Sequence, residues 1–131
     1  MLNPRFLALS EILLIHDVQI ARFGGMPGIR DQGLLESALA QPKATFSGEL
    51  LHLTIHEQAI AYLYHIAKNH PFIDGNKRTA FAAMDVFLRM NGYVLQLTND
   101  QSCSLVIQVV QSEMNKEELA AYLKQVIEKT A

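Results

Sequence analysis

The chain has 131 residues, half of them apolar, with a formal net charge of -2 and a pI near 6.2. Such a length suits a single domain over residues 1–131, and the apolar share excludes long-range disorder. The near-neutral charge balance excludes the broad basic field that draws proteins to nucleic acid, so no DNA binding is expected.

Asn3 before Pro4 has the form of a helix cap followed by proline at the first helical position. Phe6, Leu9, Leu13 and Ile20 then recur at helical spacing until Gly24-Gly25 stops the helix. The opening residues lack a basic stretch followed by an apolar run, so no secretory leader is expected. No run of about 18 uncharged apolar residues offers a membrane span, and the expected setting is cytoplasmic. Within the first helix, His16-Asp17 interrupts an apolar pattern and reads as a buried pair bracing a loop, with Asp17 assigned that support.

Residues 24–30 hold three glycines and a proline, a composition for tight turns. Asp31 caps a short helix carrying Leu34, Leu35, Ala38 and Leu39, which Pro42 ends. Residues 43–53 have no helical period and read as an exposed flap. Thr54-Ile55-His56-Glu57 is a capping box that opens a helix through Ile55, Ala59, Tyr62, Leu63 and Ile66. It ends near Asn69, because Pro71 disfavours helical geometry at His70.

A further helix starts at Gly75 or Asn76 and runs to Asn91-Gly92. Ala80, Met84, Phe87 and Leu88 form one apolar face, with Ala83 and Met90 on another, which marks it as central. Tyr93–Leu97 alternates weakly and is too short to found a sheet. Two helices close the chain, over 100–113 and 116–129, the second capped by Asn115 with Glu118 at its third position. The lone Cys103 reads as a small core thiol. The expected fold is all-α, a compact bundle of about six helices with a functional loop between the two central ones.

The chemistry gathers between His70 and Arg78. A helix N-terminus presents unpaired amides and partial positive charge, and Gly75 lets the backbone curl around an anion, so the segment is a phosphate cradle. Lys77 and Arg78 oppose the helix dipole unless an anion relieves the conflict. Asp74 offers the single carboxylate that Mg²⁺ uses alongside phosphate oxygens. Asn76 can hydrogen-bond phosphate without adding charge. An imidazole at His70 suits a general base, and Phe72 is expected to turn inward and anchor the loop. Each residue also has an ordinary reading as turn, exposed pair or structural histidine; it is their density at one helix junction that points to a site. His52, His56 and Glu57 carry a zinc-like spacing, but Thr54 breaks the helix between them and Ile60 stands where a further histidine belongs.

The segment resembles the signature of the Fic/Doc superfamily, H-x-F-x-[D/E]-G-N-G-R-x-x-R. His70, Phe72, Asp74, Gly75, Asn76 and Arg78 match it, while Lys77 replaces the second glycine and Phe81 the final arginine. The run Asn76-Lys77-Arg78-Thr79-Ala80 is similar to the death-on-curing (Doc) branch, as are Ile15-His16-Asp17 through Gly28 and Arg30–Leu39. The resemblance implies an ATP- and Mg²⁺-dependent transferase. His70 would deprotonate a serine or threonine of a target protein, Asp74 would hold Mg²⁺, and Gly75, Asn76, Lys77 and Arg78 would bind the phosphates. With Phe81 in place of arginine, it implies transfer of the γ-phosphoryl group to elongation factor Tu. It further implies a toxin restrained by a cognate antitoxin in trans, since no internal inhibitory motif is complete: Leu50 follows Thr45–Glu49 where glycine or asparagine is required. Thr45, Phe46 and Ser47 would lie in a flap that docks the target. The alternatives are a Fic-type adenylyltransferase and a catalytically silent binding member.

Overall fold

A computed structural model of the protein describes residues 4–130. Among them are six α-helices: α1 (Leu9–Phe23), α2 (Gln32–Ala40), α3 (Ile55–Asn69), α4 (Asn76–Met90), α5 (Asn99–Val110) and α6 (Lys116–Val126). The only strands among the described residues are two short pairs: β1 (Thr45–Phe46) with β2 (Glu49–Leu50), and β3 (Tyr93–Leu95) with β4 (Ile127–Lys129). The fold is therefore all-α, as expected.

α3 and α4 form the centre, joined by the loop 70–75 and packed on each other. Thr54 starts α3 by accepting the Glu57 amide at 3.2 Å and donating to the Glu57 carboxylate at 2.8 Å. Gln58 through Leu63 are consecutively buried, because α2, α5 and α6 surround the helix on different sides. α4 buries a stripe of Thr79, Ala80, Ala83, Met84, Phe87 and Leu88 and also meets α1 and β3. Phe87 packs between Phe6 and Tyr62, with ring centroids 5.9 and 5.0 Å away.

Three expectations are corrected. The first helix starts at Leu9 rather than at Pro4, and Asn3 lies outside the described residues. Residues ahead of α1 are fastened non-helically: Arg5 exchanges two hydrogen bonds with the Asn91 side chain at 2.8 and 3.0 Å, and the buried Leu7 amide donates to the Tyr62 hydroxyl at 2.8 Å. The last helix stops at Val126, because residues 127–129 pair antiparallel with Tyr93–Leu95 and complete the sheet that β3 alone is too short to form. Cys103 is exposed, since α5 turns Leu105, Val106 and Val109 into the core instead.

Candidate active site

α3 ends on His70, which adopts the left-handed conformation (φ 53°, ψ 53°) while its amide still donates to Ile66 O at 3.2 Å. For a residue with a side chain this geometry costs about 1–2 kcal/mol, so surrounding contacts must impose it. The glycine-rich segment supplies them. Ile29 pairs with Phe72 in an isolated β-bridge, the Ile73 amide donates to Gly28 O at 3.1 Å, and the Arg30 and Asp31 amides share Pro71 O at 2.7 and 3.0 Å. The Arg30 side chain adds bonds from Nε to His70 O at 2.7 Å and from Nη2 to Asn69 O at 2.9 Å. Arg30 was not a candidate on sequence; its only local signal is a lone cation closing a glycine-rich stretch.

The floor of the loop is apolar. Phe72 is fully buried and its ring lies parallel to that of His16, centroids 3.8 Å apart at 6°. His16, itself 2% exposed, donates from Nε2 to Asp74 O at 2.8 Å. The bracing role assigned to Asp17 is thus corrected: Asp17 is exposed, without a hydrogen bond or ion pair among the described residues, and its neighbour one position back meets the loop. A helical step of about 100° separates adjacent side chains, so only one of the pair can face inward.

Asn76 also departs from expectation. Its side chain accepts the Phe72 amide at 2.8 Å and donates to Phe72 O at 2.9 Å, and the residue is 3% exposed. The oxygen and one N–H of the amide are engaged by the loop's own backbone, so the side chain staples the loop.

What remains open to solvent is polar. Asp74 accepts the Met26 amide on Oδ2 at 3.1 Å and the Gly75 amide on Oδ1 at 2.8 Å. These two bonds, in that order, with the Arg78 guanidinium beyond, hold its carboxyl below the usual carboxylate range. A side chain at Gly25 would meet Asp74 Oδ2 at 2.7 Å, so glycine there is a condition of the carboxylate's position. Gly75, left-handed at φ 75°, precedes α4 with no side chain capping the helix. The Thr79 amide makes the first intrahelical bond, to Gly75 O, which leaves the amides of Asn76, Lys77 and Arg78 outside the helical ladder. Arg78 donates to Gly24 O at 2.9 Å and stacks 5.4 Å from the Phe23 ring centroid. Lys77 is exposed. Together His70, Asp74, Gly75, Asn76, Lys77 and Arg78 line an open cleft of about 310 Å³.

Thr45, Phe46 and Ser47 do not line it. They belong to a two-residue hairpin whose turn, Ser47-Gly48, has positive φ at both positions, and Phe46 is 77% exposed. Phe81 is half-buried and packs on the core. Among the described residues no three histidine, cysteine or carboxylate side chains gather around a common point. No helix there is long and apolar enough to cross a membrane.

The sequence model of the Fic/DOC family matches residues 6–88, from the segment before α1 to the end of α4's buried stripe. The chain is 39% identical over 120 residues to "Toxin Doc" of Mycolicibacterium smegmatis, covering 88% of this chain and 92% of that protein. It is 36% identical over 88 residues to "Protein kinase doc" of Escherichia phage P1, covering 67% of this chain and 69% of the phage protein.

Proposed function

The chain belongs to the Fic/DOC family, and we propose that it is a Doc-type toxin transferring the γ-phosphoryl group of ATP to a serine or threonine hydroxyl of a target protein. The observation that carries this reading is the meeting, in one cleft, of the His70 imidazole, an anionic carboxylate at Asp74 and three unpaired amides at the start of α4. His70 takes the proton of the incoming hydroxyl. The amides of Asn76, Lys77 and Arg78, with the two cationic side chains, hold the phosphates and offset charge as it develops. Asp74 is exposed, ionised and already oriented by two amides, so it fits one protein ligand of Mg²⁺, which when bound would neutralise phosphate charge.

Two features favour phosphoryl over adenylyl transfer. Phe81 brings no charge to the helix turn where the Fic signature has arginine, and one relative bears the name of a protein kinase. Elongation factor Tu is the proposed target on the family resemblance, and the exposed hairpin at Thr45, Phe46 and Ser47 is the proposed docking flap. Similarity to a protein named as a toxin supports restraint by an antitoxin in trans in a bacterial cytoplasm. Leu119 and Leu123 of α6 are fully buried in the core shared with α3, which supports reading residues 1–131 as one domain.

The test incubates the protein with Mg²⁺, elongation factor Tu or a bacterial lysate, and ATP labelled at either the γ- or the α-phosphate. Label passing to protein only from the γ position, and abolished by His70→Ala, is expected. Transfer from the α position would make the enzyme an adenylyltransferase. No transfer from either, beside an active relative, would leave a binding protein.

A further inference from the structure

The geometry points to Arg30 as a positioning residue that fixes the catalytic imidazole by holding His70 in its left-handed backbone conformation. This rests on the reading of His70 as the base. Three successive carbonyls, of Asn69, His70 and Pro71, are held by the two residues Arg30 and Asp31. Two of those bonds come from the guanidinium, whose rigid fork can address neighbouring carbonyls from Nε and Nη2 at once; a lysine, with one rotating ammonium, cannot reproduce that geometry. The backbone amide of Arg30 is itself bonded to Pro71 O at 2.7 Å, so the arginine is anchored to the loop it grips.

The electrostatics agree with the geometry. Carbonyls at a helix C-terminus carry partial negative charge, and here the cation reaches them from another segment of the chain. A left-handed His70 is intrinsically unfavourable, and turning it back toward ordinary helical or extended angles would swing its carbonyl away from Nε. The two Arg30 bonds and the Pro71 bonds thus leave the residue one orientation. Arg30 is exposed and does not line the cleft, so it acts through His70 and not on the nucleotide. A displacement of the base by about 1 Å is enough to cost on the order of a hundredfold in rate.

Arg30→Ala and Arg30→Lys are compared with the parent protein in labelled-ATP transfer and in binding of a fluorescent ATP analogue. In parallel, ¹⁵N relaxation dispersion is recorded at the His70 amide. The alanine variant is expected to lose kcat by roughly ten- to a hundredfold with nucleotide affinity within about twofold, and to show new microsecond-to-millisecond exchange at His70. Lysine is expected to recover part of the rate, and it carries the test if the alanine variant folds poorly. A kcat within twofold of the parent, or a loss confined to nucleotide binding, would overturn the assignment. If the parent protein transfers no label, it is the phosphotransferase reading that fails; the dispersion measurement then decides on its own whether Arg30 holds His70, and an unchanged His70 amide would sink the inference.

Discussion

At the scale of the residue, Asn76 separates two roles that its identity alone leaves open. A phosphate ligand would lower nucleotide affinity when removed and leave the fold intact. The structure instead has it satisfying both backbone groups of the buried Phe72. Asn76→Ala orphans an N–H and a C=O in an apolar setting, at a cost of about 1–3 kcal/mol each. The expected loss of stability is about 2–6 kcal/mol, read as a lower urea midpoint, with Asn76→Asp also destabilising because a carboxylate cannot donate to Phe72 O. An unchanged midpoint with weakened nucleotide binding would restore the ligand role. The density of chemistry at 70–78 was legible because the residues are local. Where each side chain points was legible only in part: the His16-Asp17 pair reads as bracing a loop, but not that His16 alone does so. Arg30 reaches the loop from a distant segment, and Asn76 turns inward onto the buried Phe72.

Three helix starts were legible for the same reason, since the caps at Asp31, Thr54 and Asn115 lie within a few residues of the amides they accept, whereas the start of α1 was not. Pairing between β3 and β4 was not, because α5 and α6 separate the two strands in the sequence. At this scale, one contact between α6 and α3 titrates. Lys116 Nζ donates to His65 Nε2 at 2.6 Å, which requires a neutral imidazole, and burial followed by Lys116 and His52 pushes His65 down to about 4 from 6.5. Between those values the unfolded chain takes up a proton that the folded chain refuses, so the contribution of His65 to stability falls with decreasing pH through that window and is constant above it. His52 and His56 are lowered as well, chiefly by burial, and act in the same direction, with Glu57 opposing both. The urea midpoint should drop from pH 7.5 to pH 4.5, and His65→Asn should make the drop shallower. An equal drop in both proteins would remove His65 from the account.

At the scale of the whole molecule, the family match ends at residue 88, yet the core does not. Leu123 is fully buried where α6 covers α3, so Leu123→Ala should cost about 2–5 kcal/mol and lower the thermal midpoint. A change no larger than that of a surface substitution would mean α6 is dispensable to the core. The contact between His16 and Asp74 spans 58 positions of sequence, and the bonds from Arg30 span about 40. The nine residues from His70 to Arg78 are therefore not a portable cassette. Grafted between two helices of an unrelated bundle, they would bring their side chains without the angles, and a search for this chemistry in other proteins has to match the partner segment as well as the motif.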